Sequence, residues 1–149
     1  MISLVMDTSN SYLAVGLYQD NVCLEAFQEK GSRRQSEKAI PTLKEVLDCH
    51  DIALKDVDEM IITSGPGSYT GVRVAMTIAK TLAAVSDVKI KSVSSLAAYA
   101  GMNQALSVID ARGHKVFVGV YENGLPLIKE QVMTLEDFTQ LRAEYSDYE

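Results

Sequence analysis

The chain has no tryptophan and, among 149 residues, only two cysteines, two histidines and three prolines. Cys23 and Cys49 lie far apart on what read as a strand and a helix, so they form neither a CxxC pair nor a disulfide framework, and free thiols are expected. His50 and His114 have no second histidine or cysteine at ligand spacing, so no transition-metal site is legible. There is no GxSxG elbow, no triad order and no pair of glutamates at useful spacing, and therefore no hydrolase signature. No run approaches the roughly 20 apolar residues of a membrane helix, and Met1 leads into a β-like run without a basic leader or cleavage site. The expectation is a cytoplasmic protein with no membrane association. Positive charge is also scarce: 14 basic against 20 acidic residues leave a formal charge of −6, which should repel a nucleic-acid backbone. Strong direct tRNA binding is not expected. The one local exception, Lys30, Arg33, Arg34 and Lys38, reads as a solvated loop and helix start.

What is present is the pattern of an α/β protein with 47% hydrophobic residues, enough for a real core. Residues 2 to 6 read as a buried strand ending at the turn-forming Asp7-Thr8-Ser9-Asn10. Strands at 12–18 and 22–27 follow, joined at Gln19-Asp20-Asn21, so the chain opens with an antiparallel meander. Ser32 and Gln35 suggest a capping box for a helix over about 35–49, kinked or delayed by Pro41. Met60 to Thr63 fits a central strand. Val72 to Val85 fits a helix carrying a small-residue stripe of Ala75, Ala79 and Ala83. A strand at 90–93 and a helix from Ser94 or Ser95 to about Met102 complete this part.

The chain then repeats itself at an offset of 103, matching Val5 with Val108, Asp7 with Asp110, Val15 with Val118, Gly16 with Gly119 and Tyr18 with Tyr121. Strands at 106–109, 115–121 and 126–132, a turn at 110–113, a hairpin at Asn123-Gly124 and a Thr134-capped helix follow the first copy's order. Two related lobes are expected, a complete one over 1–103 and a partial one over 104–149. The second is either shortened or cut short, with an open sheet edge.

Two motifs invite chemistry. Gly65-Pro66-Gly67-Ser68-Tyr69-Thr70-Gly71 lies between strand and helix, where glycines allow close approach and a helix N-terminus suits an anion. A tight turn needs glycine regardless, and neither a Walker lysine nor GxGxxG spacing is present. Asp7 and Asp110 each end a buried strand, as metal-holding carboxylates do in nucleotide-clamping folds and as turn-bonding aspartates do everywhere.

Met6-Asp7-Thr8-Ser9, the glycine-rich string continued through Val72-Arg73, and Val108-Ile109-Asp110-Ala111-Arg112 together resemble the TsaB (YeaZ) family over residues 1 to about 121. The resemblance implies an actin/hexokinase-like fold with duplicated β-β-β-α-β-α-β lobes. It also implies a part in forming threonylcarbamoyladenosine beside the anticodon of tRNAs that read codons starting with A. Catalysis would belong to a related subunit, TsaD, whose two metal-binding histidines match Ser95 and Tyr99 here. A serine hydroxyl is a weak ligand and a tyrosine must first lose a proton of pKa about 10, so no metal and no catalytic residue is expected in this chain. The family pairs through helices matching 35–49 and 71–85, with TsaD or with another copy as a homodimer. That assigns Ile40, Val72, Arg73, Ala75, Met76, Ala79 and Ala83 to the contact. A small ATPase, TsaE, would join near the junction. ATP or ADP would bind only in the complex, with Asp7, Thr8, Ser9, Gly65, Gly67, Ser68 and Asp110 as candidate nucleotide contacts. Gln35 stands where relatives often carry histidine. The alternative class is a free-standing nucleotide-dependent transferase or ATPase built on Asp7, the glycine-rich turn and Asp110. An older peptidase view finds no motif.

Overall fold

The computed structural model describes residues 1–31 and 34–149. It divides into two compact units, the first made of Met1–Ser64 and Ser68–Val93, the second of Gly65–Gly67 and Ser94–Glu149. Ser32 and Arg33, and with them the expected Ser32 cap, lie outside the described residues.

In the first unit, β1 (Ile2–Asp7), β2 (Tyr12–Gln19) and β3 (Val22–Lys30) form the expected antiparallel meander. Asp20 and Asn21 take φ of 49° and 68° at the β2–β3 hairpin, the left-handed pair whose twist suits a two-residue connection. Helix α1 (Gln35–Asp48) runs through Pro41 and buries Ala39, Leu43, Val46 and Leu47 against the sheet. The Gln35 amide donates to the Asn10 carbonyl at 3.0 Å, and Arg34 at the cap position makes no side-chain bond to the helix.

Strand β4 (Glu59–Thr63) lies parallel to β1, and β5 (Lys89–Val93) parallel to β4, giving the order β3-β2-β1-β4-β5. Parallel pairing requires a covering crossover, and α2 (Tyr69–Val85) supplies it. The core unites Leu4, Met6, Leu13, Val15 and Leu17 of the meander with Met60 and Ile62 of β4 and the inner faces of both helices. Each large side chain enclosed there contributes about 1.5–3 kcal/mol.

The second unit is a three-stranded antiparallel sheet, β6 (Ala105–Arg112), β7 (Lys115–Glu122) and β8 (Leu125–Thr134), with one helix on each face. Alternate side chains divide between them, as strand periodicity requires. Ala105 and Tyr121 pack on Leu96 and Ala100 of α3 (Ser95–Ala100), whereas Val116, Val118 and Val120 pack under Phe138 and Leu141 of α4 (Leu135–Glu144). Thr134 caps α4 by accepting the Asp137 N–H at 3.1 Å. The expected division at residue 103 is therefore corrected: α3 belongs to the second unit, because its apolar face meets β6 and β7.

The repeated β-β-β-α order is that of the actin/hexokinase-like plan, and its internal details recur. In both copies a tyrosine ring lies over the glycine two residues before it on the same face of the strand. A Cβ at Gly16 would come 2.9 Å from the Tyr18 ring, and one at Gly119 2.7 Å from the Tyr121 ring. Two expectations for β6 need revision. The strand runs to Arg112 with an irregularity between Asp110 and Arg112, and its turn is made by Arg112, Gly113 and His114, all at φ near +60°. Val5 faces Gly16, whereas Val108 faces Val118 and it is Ser107 that faces Gly119. The Val5–Val108 identity therefore does not mark equivalent places, since β6 is slipped by one residue relative to β1.

Burial, followed by the 2.8 Å hydrogen bond to Glu130, pushes the Tyr121 hydroxyl up to about 12. The unfolded chain releases this proton near pH 10, so the stabilisation it gives is complete below pH 10 and lost as pH rises toward 12. Replacing Tyr121 with Phe should flatten the alkaline slope of stability measured by denaturant titration between pH 9 and 11.

Candidate functional site

The end of β1 is laced to the first turn of α2 by short polar contacts within the first unit. Asp7 accepts the Ser9 N–H at 2.7 Å and the Thr63 hydroxyl at 2.6 Å on one oxygen, and the Asn10 amide at 3.1 Å on the other. The buried Thr8 hydroxyl donates to the Gly71 carbonyl at 2.6 Å, and the Ser68 N–H donates to the Ser9 carbonyl at 2.6 Å. Ser68 also caps α2 by accepting the Gly71 N–H at 3.2 Å. No side chain fits at position 71, because a Cβ there would stand 1.8 Å from the Thr8 carbonyl oxygen.

Of the sequence-derived nucleotide contacts, Asp7, Thr8, Ser9 and Ser68 thus come together, while Gly65, Gly67 and Asp110 fall in the second unit. There Gly65 takes a φ of 94° and its carbonyl accepts the Ser95 N–H at 2.8 Å. Asp110 accepts the Arg112 N–H at 2.8 Å, the same bond to the residue two ahead that Asp7 makes to Ser9. Both aspartates therefore serve as turn-closing groups. Among the described residues no cluster of three or more histidine, cysteine, aspartate or glutamate side chains is arranged to hold a metal ion. His50 is tied to Glu25 at 2.8 Å.

One concave feature of the first unit lies between α1 and α2. It is an apolar groove of about 410 Å³, floored by Leu4 and Leu43 and walled by Leu47, Ile52, Ile78 and Leu82, with a Lys44–Asp48 ion pair on its rim. Ile40 stands at its mouth, 61% exposed on a helix face whose next member, Leu43, is buried. The groove continues into a more polar hollow of about 370 Å³ lined by Ser36, Thr70 and Arg73. The Arg73 guanidinium lies 5.2 Å from the centre of the exposed Tyr69 ring, within cation–π range.

The proposed contact residues divide accordingly. Ile40 and Arg73 are exposed, Val72 and Ala83 are half-buried, and Met76 packs against the unit's own core. Ala75 and Ala79 are corrected: both are 0% exposed and press α2 onto its own sheet, leaving nothing to offer another subunit. Sequence reasoning missed Ile52, Leu54, Thr81 and Leu82, which line the groove from outside the helical stripes considered. The visible signal was Ile40, an apolar side chain in register with a buried face but one turn beyond its cover. Two members of the basic cluster have acidic neighbours, with Lys38 bonded to Glu29 at 2.7 Å and Arg34 within 3.9 Å of Glu37, while Arg33 lies outside the described residues.

Residues 28–146 match the family model described as TsaD, tRNA N6-adenosine threonylcarbamoyltransferase. The chain is 33% identical to the tRNA threonylcarbamoyladenosine biosynthesis protein TsaB of Bacillus subtilis, over 97% of this chain and 67% of that protein. The chain belongs to the TsaB (YeaZ) family. The Escherichia coli TsaB is 30% identical over 82% of this chain and 57% of its own length, so the chain spans about three fifths to two thirds of these relatives. YeaZ from Pseudomonas aeruginosa superposes with a TM-score of 0.80 at 28% identity, covering 89% of this chain and 67% of that one. No described helix is long and apolar enough to cross a membrane.

Gly71→Ala should cost about 3 kcal/mol, since the clash is with backbone that cannot rotate away. Equilibrium urea denaturation measures the loss. Thr8→Val, which keeps the shape but removes the donor, should lose about 1 kcal/mol.

Proposed function

We propose that this chain works as a non-catalytic partner of a TsaD-like subunit in tRNA threonylcarbamoyladenosine formation, docking through the α1–α2 groove. Membership of the TsaB family supports the pathway, and the groove supports the mode of action. An apolar trough with an uncovered Ile40 at its mouth and an Arg73–Tyr69 pair beside it has the make-up of an interface: a hydrophobic centre, an arginine and aromatic flank, and a charged rim. A second copy of the chain takes the same surface when the partner is absent, and a TsaE-like ATPase joins the assembled pair. Any ATP or ADP is held in that assembly rather than by this chain alone. The setting is the cytoplasm, where tRNA is modified.

The free-standing transferase or ATPase reading is less well supported, because both Asp7 oxygens already accept protein donors. Ser95 and Tyr99, at the places of the TsaD histidines, offer poor metal ligands. One structural relative is described as similar to a peptidase; in this chain the His50 ring is paired with the Glu25 carboxylate at 2.8 Å.

The test is reconstitution. The purified chain alone should not modify tRNA, and mixing it with the TsaD and TsaE homologues of its cell should give modification. Ile40→Asp should weaken association with the TsaD homologue about tenfold to a hundredfold by titration calorimetry while leaving the melting temperature unchanged. Full affinity in that variant would discard the groove as the docking surface.

A further inference from the structure

Between α1 and α2, charge is matched at one end of the surface and unmatched at the other. At the apolar end Lys44 is paired with Asp48. At the polar end the cation is the exposed Arg73, and among the described residues no carboxylate lies within ion-pair distance of it. The polar side chains that line this hollow with it are the hydroxyls of Ser36, Thr70 and Thr77, and no lining residue is acidic.

The guanidinium is held in place while most of its bonding capacity is left over. Its Nη1 donates to the Tyr69 hydroxyl at 3.4 Å, and the Tyr69 ring lies within cation–π range at 5.2 Å. An arginine carries five N–H donors in a planar fork that matches a carboxylate, and Tyr69 takes one of them. A side chain already held loses less freedom when it binds.

The two hollows form one surface, since Ile40, Thr77 and Ile78 line both. Along α2, Thr70, Arg73, Thr77 and Thr81 recur at spacings of three and four, which places them on one face of the helix. A subunit lying in the apolar trough therefore covers Arg73 too and removes its water. A guanidinium covered without a counter-charge is costly, so what docks here must bring an anion with it. A free phosphate has no apolar part to fill the trough, whereas a protein segment supplies both groups at once. Ile78 and Leu82, which wall the trough, lie five and nine residues beyond Arg73. At the helical rise that is about 7–14 Å along the contact.

We propose that Arg73 receives one carboxylate side chain, an Asp or Glu, of the docked subunit, seated in the Ser36–Thr70–Thr77 hollow about 7–14 Å from the apolar side chain that fills the trough. This rests on the reading of the α1–α2 groove as the docking surface. It adds a requirement that apolar burial does not impose: the partner is selected for one negative charge at a fixed distance from its apolar anchor.

The experiment measures binding of the TsaD homologue of the same cell by titration calorimetry at low and at raised salt. Arg73→Ala should weaken association about tenfold at low salt and flatten its salt dependence, with the melting temperature unchanged because the side chain is exposed. Arg73→Glu should weaken it further. Exchanging one acidic residue on the homologue's docking face for arginine should restore binding to Arg73→Glu while weakening binding to the unsubstituted chain. Unchanged affinity and salt dependence in Arg73→Ala, with Ile40→Asp still weakening association, would overturn the carboxylate pairing and leave the groove standing as the docking surface. Unchanged affinity in both variants would remove the docking reading and this inference with it. Inorganic phosphate bound by this chain alone and lost in Arg73→Ala, with no rescuing exchange on the homologue, would assign the hollow to a free anion and overturn the proposal.

Discussion

The first unit depends on the absence of one methyl group. At Gly71 the backbone of α2 comes so close to Thr8 that no Cβ fits, and the contact is closed by the Thr8 hydroxyl on the Gly71 carbonyl and the Ser68 N–H on the Ser9 carbonyl. This anchors the start of α2 to the end of β1. Ala75 and Ala79 can then sit flush on the sheet one and two turns later, and Ile78 is carried to the wall of the groove beside α1. A larger residue at any of these positions would lift the helix. The groove is thus a by-product of close packing deeper in the unit.

That geometry separates two roles which the motifs alone left merged. A glycine-rich string before a helix and an aspartate at a strand end are the parts from which phosphate and metal sites are made. Here both oxygens of the aspartate accept protein donors, from Ser9, Asn10 and Thr63, and its counterpart Asp110 closes a turn with the same bond to the residue two ahead. Polar groups satisfied internally stiffen a scaffold, whereas apolar side chains left uncovered, as at Ile40, favour association. The acidic surface agrees with this, since it resists non-specific contact with nucleic acid while leaving an uncharged trough free for protein.

Duplication supplies the second unit with the same order of elements but not the same register. The glycine–tyrosine pairs and the aspartate turns repeat closely, because each is a local device requiring only a fixed spacing along one strand. The pairing of β6 with β7 slips by one residue, and the irregularity near Asp110 absorbs the difference before the turn. A sheet tolerates such a slip when side-chain faces are re-sorted, and here Leu106 joins the cluster under α4.

Element types and order were legible from the residues, because hydrophobic period, turn chemistry and caps act over a few positions: the Asp20-Asn21 and Asn123-Gly124 hairpins, the Thr134 cap and the α/β alternation all emerged at their places. The family was legible as well, from the strings around Asp7, Gly65 to Arg73 and Asp110. Tertiary packing alone decided which side of α2 its alanines face, why residue 71 must be glycine, where α3 belongs and how β6 is registered. Each of these depends on contacts between residues far apart in the chain, such as Thr8 with Gly71 or Ala105 with Tyr121, and distance along a sequence carries no record of distance in space.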